Sequence, residues 1–404
     1  MHSERYILQE GIKGETMHQV IVVGVADHNA LGQARCFGIH GLKPVGIFVS
    51  SEINFAARSK YWSKIFFVKN EDEVLHILQE EYAHYGEKPT IIATSDGMAK
   101  KLDQNYSNLS ASFILGSFGA NQGKLSRLMD KNNQVKLMNR HGFTTIETTV
   151  LNLSQDRTRL SKESRDLKFP VILKPVDSTE GKKKDIRICE SSDVFIQTIK
   201  ELQGKKYHQV LCQRYLKDKT EYVVEGAINV KADYVSYTIL KNLRQWPEKC
   251  GTGSFSSYCV DSDVTKAVEH IVELLKTEDY DGVFDIEIFK STEGEFIINE
   301  FNWRSGGRNF VSLDTNVYSC YEWCQSHWGE LEGIKNVNTK QGYTMNEATD
   351  LRHVFKGNVP LRQWIKDLCI TKSYALWDWK DPRPALSRYR DLLIKLCKGQ
   401  TVGD

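Results

Sequence analysis

The residues best placed to do chemistry lie between Asp281 and Phe310, in the stretch DGVFDIEIFKSTEGEFIINEFNWRSGGRNF. Read as two strands joined by a turn around Glu293-Gly294, it sends Phe284, Ile286 and Ile288 to one face and Asp285 and Glu287 to the other. The same alternation groups Glu300, Asn302 and Arg304 and turns Phe301 and Trp303 away. Two carboxylates about 4 Å apart repel by roughly 4 kcal/mol at an effective dielectric of about 20, so such a pair takes up a cation or a proton. Hard oxygen ligands on rigid strands suit magnesium, which completes its shell with water and substrate phosphate. A half-buried hairpin with a solvated charged face explains the stretch equally well when it is taken alone, and both readings stay open here.

Upstream segments supply the opposite charge. Lys131 follows Asp130 at a break in a helical pattern running from Gln122 to Arg140, where a lysine either projects into a cleft or sits in water. Lys174 ends the apolar run PVILKP, so its ammonium must find an anion or snorkel to solvent. The loop from Asp177 to Asp185, DSTEGKKKD, reads either as a cover for phosphates, using backbone N–H groups and point charges, or as a plain hairpin turn. A strand from Val210 to Leu216 then leads through a charged turn into Glu221-Tyr-Val-Val-Glu225. That order suits a purine held by backbone groups with its ribose hydroxyls on the acid.

The elements that must position these residues are legible in outline. QVIVVGV (Gln19 to Val25) reads as a buried parallel strand, followed by a helix ending at Gly41 and a second strand, Val45 to Val49, which makes a βαβ unit. Gly24 and Gly32 lack GxGxxG spacing, which argues against dinucleotide binding. Strands at Ile65 to Val68 and Pro89 to Thr94 continue the pattern, and the second runs into Ser95-Asp96-Gly97, a loop at the carboxyl end of a strand where open α/β sheets place ligands. Helices over 192–203 and 264–276 carry apolar stripes that belong to a core. The pattern therefore reads as a doubly wound α/β domain over residues 19–120 after an extension of 1–18, with mixed strands and helices beyond it.

Composition bounds the rest. A chain of 404 residues exceeds the roughly 250 to 300 at which single cores stop growing. Fifty-four basic against 52 acidic residues give a net charge of +2 and no global field to recruit nucleic acid. Nine cysteines without CxxC spacing argue against a zinc site and for reduced thiols in a cytoplasmic protein. No apolar run approaches the roughly 20 residues that span a bilayer, and residues 1–18 lack the apolar middle of a signal peptide. The tail from Leu351 to Asp404 holds eleven Lys/Arg against five Asp, with Trp364, Trp377 and Trp379 among them. It reads as a helical appendage packing its tryptophans on the body, or as a surface for an acidic polymer or a membrane.

Set end to end, Lys131, Lys174, Gln213 to Leu216, Glu221, Glu287, Glu300, Asn302 and Arg304 resemble the ATP-grasp superfamily in order and spacing, over about residues 19–320. The most specific part is Glu287 followed by Glu300-Phe-Asn302-Trp-Arg304. The resemblance implies an α/β and α+β ATP-grasp fold that uses ATP and magnesium, with the ATP-grasp domain over 121–325, its lid near 170–222, and a C-terminal extension over 326–404. By it, Lys131 and Lys174 hold phosphates, Gln213 and the backbone of Tyr215 and Leu216 line the adenine pocket, Glu221 binds ribose, Glu287, Glu300 and Asn302 carry magnesium, and Arg304 with the backbone around Gly306 faces the reacting acyl phosphate. The sequence departs from common relatives in having only Gly181 in the phosphate-covering loop and Trp303 in place of proline. Ser305-Gly306-Gly307 replaces the His- or Glu-containing continuation of biotin-carboxylase-like members, which places the chain nearer the carboxylate–amine ligase branch, D-aspartate ligases included.

The implied reaction turns a carboxylate into an acyl phosphate at the expense of ATP and lets an amine displace the phosphate. Its partners are a small acid and a small amine. Candidate residues for them are Asp27, His28, Asp96, Arg308 and Asn309, each of which also fits a turn or capping role. Two alternatives remain: a bicarbonate-phosphorylating enzyme, and an ATP-binding regulator without turnover. A homo-oligomer is compatible with all three.

Overall fold

Nothing in VIVVG needs water, and Val20–Gly24 forms β1 with all five residues buried. This computed structural model describes residues 18–50, 53–154, 167–175, 185–205, 207–248, 251–258 and 261–397. The N-terminal extension expected before the first strand, except His18, and the lysine-rich loop after Lys174, except Asp185, lie outside the described residues. The described chain falls into two compact units, 1–126 with 223–286 and 301–404, and 127–222 with 287–300.

In the first unit, β1, β2 (Val45–Val49), β3 (Lys64–Val68) and β4 (Thr90–Ala93) make a parallel sheet in the order β3-β2-β1-β4. Helix α1 (His28–Ile39) starts where Asp27 Oδ1 accepts from the N–H groups of Asn29 at 2.9 Å and Ala30 at 3.2 Å. That cap satisfies amides which the first turn leaves without partners. Ser95 caps the helix Asp96–Gln104 in the same manner through Met98 N, which puts Asp96 just beyond the carboxyl end of β4. The short β5 (Ser117–Phe118) ends this stretch.

The second unit holds an antiparallel sheet of β6 (Thr148–Asn152), β7 (Val171–Pro175), β8 (Arg187–Cys189) and β9 (Gln209–Arg214), in the order β6-β9-β7-β8. Phe195, Ile199 and Leu202 from the helix Ser192–Gly204 pack on Leu151, Leu173 and Val210 of that sheet. The helix Lys131–Arg140 begins at Asp130, whose Oδ1 caps Asn133 N at 3.1 Å, so Lys131 is its first helical residue.

The remaining strands are β10 (Thr220–Asn229), β11 (Tyr234–Trp246), β12 (Thr252–Tyr258), β13 (Tyr280–Lys290), β14 (Phe296–Asn302), β15 (Lys335–Val337), β16 (Gly342–Met345) and β17 (Ser373–Tyr374). They follow the order β14-β13-β10-β11-β12-β16-β17, with β15 on β11 and β5 on β13. The unit boundaries fall inside β10, β13 and β14. The turn anticipated between the last two is present: Ser291 N donates to Glu295 O at 2.9 Å, Gly294 N to Ser291 O at 3.0 Å, and Gly294 takes φ +87°, where a side chain would be strained. Among the described residues no helix is long and apolar enough to cross a membrane.

The C-terminal residues join the core of the first unit. Leu376 and Ala385 are buried with Ala30, Leu31 and Ala34 of α1, and Trp377 packs against the same cluster, whereas Trp379 is 84% exposed. The fully buried guanidinium of Arg35 donates to the carbonyls of Leu376 at 2.7 Å and Asp381 at 2.9 Å and lies 3.3 Å from Asp381 Oδ2. Removing one member of a buried ion pair leaves the other charge uncompensated. Asp381→Ala should therefore cost about 3–5 kcal/mol in urea-induced unfolding; a midpoint equal to that of the unaltered chain would show that the carbonyls and Asp378, 3.8 Å from Arg35 Nε, suffice to hold Arg35.

Candidate functional site

In the second unit, two cations and two carboxylates are gathered by strand alternation and a helix start. Lys174 comes from β7 and Lys131 from the first turn of its helix, while Glu287 and Glu300 alternate with the buried Ile286, Ile288 and Phe301. Lys131 Nζ lies 3.4 Å from Glu300 Oε1. Glu287 Oε2 accepts from Asn299 Nδ2 at 2.8 Å. The Lys174 side chain as a whole is partly exposed, but its ammonium end lies deep, and loss of hydration together with the Lys131 charge pulls its pKa down to about 8, against the opposing pull of Glu300 and Glu287. An anion brought between the two ammoniums would relieve that strain. Glu287 and Glu300 offer the hard oxygens that magnesium prefers, so this residue set fits a magnesium-bound phosphate. Among the described residues no group of three or more His, Cys, Asp or Glu side chains forms a metal cluster, so a cation here would draw heavily on water and phosphate.

The expected nucleotide residues of the same unit are placed as follows. Gln213 is buried on β9, its Nε2 donating to Thr148 Oγ1 at 2.9 Å while its Oε1 has no partner. The Tyr215 N–H is spent on Pro170 O at 2.8 Å. Leu216 packs against Ile146, Phe289 and Ile297. Glu221 pairs with Lys219, Nζ to Oε1 3.1 Å, and that lysine, only 8% exposed, lies 4.7 Å from the Tyr215 ring centroid and 4.5 Å from that of Phe289. Lys219 is a third cation that the sequence did not mark, because Lys217-Asp-Lys-Thr220 reads as a solvated turn.

The first unit holds a separate acidic and basic set. Arg304 Nε donates to Asp96 Oδ1 at 3.0 Å, and its Nη1 donates to Ser305 O at 3.1 Å, which fixes the guanidinium plane. Asn302 Nδ2 donates to Asp285 Oδ1 at 3.0 Å, so its Oδ1 is the atom it can offer a cation. Glu225, buried on β10, accepts from Arg308 N at 2.7 Å, and Arg308 Nη1 donates to Asn242 Oδ1. Burial and the nearby Asp285 push the Glu225 carboxyl up to about 8, and Arg308 and Arg304 offset this only in part. Of the candidate substrate residues, Asp96 meets Arg304 and Arg308 meets Glu225, while the Asp27 carboxylate serves as the cap of α1. His28 approaches Gly307, and Asn309 Nδ2 donates to Asn29 Oδ1 at 2.6 Å. Glu225 is the member of this set that sequence reasoning missed; a carboxylate inside the apolar run YVVEGAI was the available signal.

Residues 137–321 match the family model of the ATP-grasp domain. No curated protein is similar to the chain by sequence. Among solved structures, the biotin carboxylase domain dimer of the Hydrogenobacter thermophilus 2-oxoglutarate carboxylase, bound to magnesium ADP, ADP and bicarbonate, is 14% identical with a TM-score of 0.63, covering 81% of this chain and 74% of that one. The N5-carboxyaminoimidazole synthetase of Staphylococcus aureus is 12% identical with a TM-score of 0.63, covering 86% and 89%. An N5-carboxyaminoimidazole ribonucleotide synthetase in complex with ADP is 13% identical with a TM-score of 0.64, covering 88% and 87%. Likeness at these identities establishes the fold, mixed α/β with parallel and antiparallel sheets, as the sequence implied.

Gly306 sits where a Cβ would overlap Asp285 Oδ2 and Glu225 Oε1. Gly306→Ala should cost about 1–3 kcal/mol, the usual range for overpacking, in denaturant unfolding. Unchanged stability would show that the two carboxylates yield freely.

Proposed function

We propose that this chain, which carries an ATP-grasp domain over residues 137–321, is an ATP-dependent carboxylate–amine ligase that forms an amide through an acyl phosphate and releases ADP and phosphate. The observation that carries the reading is the charge set of the second unit: Lys174 forced beside Lys131, with Glu300 and Glu287 as their counter-charges. Two ammoniums and two carboxylates are complementary to a magnesium ion on phosphate oxygens. In this reading Glu287 and Glu300 hold magnesium, and Asn302, two residues beyond Glu300 on β14, adds its amide oxygen. Lys131 and Lys174 neutralise the phosphoryl group in transfer, Gln213, Tyr215 and Leu216 take the base, and Glu221 takes the ribose. Magnesium supplies charge stabilisation on the moving phosphoryl group, so positioning and electrostatics account for most of the rate. Arg304, held by Asp96, and the backbone at Gly306 are assigned to the oxyanion formed when the amine attacks.

The amine reading is favoured over bicarbonate by the first unit, where Glu225 and Asp285 lie together and an arriving ammonium would let Glu225 give up the proton that burial and Asp285 make it keep. Bicarbonate is the second reading, since one of the similar structures binds it. ADP release measured with pools of amino acids and small acids, and separately with bicarbonate, separates the two: stimulation by amino acids supports the ligase, and stimulation by bicarbonate alone removes it.

Glu300→Gln keeps the shape of the side chain but removes a metal-binding charge, and it should lower turnover by roughly a hundredfold or more, the usual loss for one transition-state electrostatic contact, with circular dichroism unchanged. Near-normal turnover would take Glu300 out of the site. The ammonium form of Lys174 is the one that binds phosphate, and it is lost as pH rises through about 8. ATP affinity should therefore weaken above about pH 8 in the unaltered chain, and Lys174→Arg should flatten that profile because guanidinium stays charged. The same profile in both proteins would assign the pH dependence elsewhere.

A further inference from the structure

Within the first unit, α1, β10, β11 and the segment after Arg304 enclose a small cavity with about 30 Å³ of room for the centre of a water-sized sphere. Its polar lining comes from Gln33, Glu225, Thr238, Ser305, Asn309 and Ser312. Three of these residues carry a buried oxygen without a hydrogen-bond partner, Gln33 Oε1, Thr238 Oγ1 and Asn309 Oδ1, while the Ser312 hydroxyl meets the Cys36 thiol. Gln33, Thr238 and Ser312 are exposed by only 1%, 2% and 6%. Each buried unpaired polar atom works against folding, so three around one cavity point to an occupant that pairs them.

The chemistry of the lining selects that occupant. Gln33 Nε2 donates to Ser305 Oγ at 2.6 Å, and Ser305 Oγ donates to Asn29 Oδ1 at 3.0 Å, an order that leaves Gln33 Oε1 as an acceptor only. The Asn309 amide nitrogen is likewise engaged, by Asn29 and Ser305. The two hydroxyls accept as readily as they donate. Cys36 and Cys320 complete the wall as neutral thiols, their pKa values raised by burial. No Lys or Arg lines the cavity, so an anion such as bicarbonate would face acceptors without a counter-charge. A primary ammonium brings three donors and one positive charge, and Glu225 can answer the charge that Asp285 denies it. The space holds two or three heavy atoms, since a single water needs roughly 10–15 Å³ on the same measure.

We propose that this cavity receives the ammonium head of the amine co-substrate, paired by Gln33, Thr238 and Ser312 and neutralised by Glu225, so that the acceptor is a primary amine. The proposal rests on the ligase reading for its meaning but not for its test. Methylammonium chloride serves as the probe, titrated against the full chain from roughly 1 to 300 mM at constant ionic strength, because the ceiling on binding per heavy atom puts so small a cation in the millimolar range at best. The unfolding temperature should rise saturably with methylammonium and not with tetramethylammonium, which lacks donors. Thr238→Val removes only an unpartnered hydroxyl, so a structural role predicts equal or higher stability and no other change. Under the proposal it raises the half-saturating methylammonium concentration roughly tenfold, the loss of one hydrogen bond to a charged group, and raises the KM for any amine that stimulates ADP release more than it lowers kcat. Equal stabilisation by potassium would make the cavity a monovalent-cation site, and no saturable effect would mean ordered water only; either result overturns the proposal. Saturable methylammonium binding without amine-stimulated ADP release would uphold the pocket and sink the ligase reading alone.

Discussion

The structure of the second unit turns on a lysine ammonium held out of water, that of Lys174, beside a second ammonium, that of Lys131. Neither can retreat. Lys131 is fixed at the first turn of a helix by the Asp130 cap, and Lys174 is the end of a strand whose preceding residues are buried. Glu300 and Glu287 answer part of the charge, but the deep end of Lys174 still holds its proton weakly. The carboxylates in turn stand close enough to cations to share them rather than own them, with Lys131 at 3.4 Å from Glu300. Such a balanced set gains by admitting another balanced pair, a dication and phosphate oxygens, because each newcomer finds opposite charge and the net charge does not change. Lys219 with Glu221 repeats the pattern between the rings of Tyr215 and Phe289.

The first unit depends on a different constraint, the rigid placement of Ser305 to Asn309. Asn29 Nδ2 donates to the Ser305 carbonyl at 2.7 Å and to the Thr94 carbonyl at 3.0 Å, and Gln33 reaches the Ser305 hydroxyl. Both residues sit on α1, and Gly32 between them leaves the room that the Asn309 amide occupies. Arg35 on the same helix is clamped by Leu376 and Asp381. The C-terminal residues thus brace α1, and α1 braces the segment that carries Gly306 and Arg308.

How much of this could be read in advance depended on contrast in the sequence. The β13–β14 hairpin was legible because apolar and acidic residues alternate from Phe284 to Ile288, and Lys174 because five apolar or proline residues precede it without a polar break. Lys219 was not, since its neighbours are charged and only folding brings two aromatic rings against it. Strands β11 and β12 also escaped notice. They bury Ser236, Thr238, Ser254 and Ser256, so their inward faces look polar in a list of residue types. The tail was legible as an appendage that packs a tryptophan, Trp377, on the body, but its buried acids were not: Asp367 and Asp381 leave water to accept from Arg244 and Arg35, as Glu347 and Asp350 just before the tail accept from the backbone amides of Leu376 and Trp377 and from Arg244. Net charge counts heads and cannot see which of them leave water.

On the proposed ligase reading, the two charge sets divide the chemistry between the acid and the amine. Activating an acid by phosphoryl transfer calls for cations around oxygen, which the second unit supplies with Lys131, Lys174 and Lys219. Presenting an amine calls for the reverse, carboxylates and unpaired acceptor oxygens, which the first unit supplies with Glu225, Asp285 and the lining of the cavity beside them. An anionic acceptor would need the arginines of the first unit for itself. Arg304 is engaged with Asp96, and Arg308 with Asn242 while its backbone N–H serves Glu225. Breaking those contacts to receive bicarbonate would leave Asp96 and Asn242 without their donors, whereas an incoming ammonium leaves every existing pair intact and lets Glu225 ionise beside Asp285.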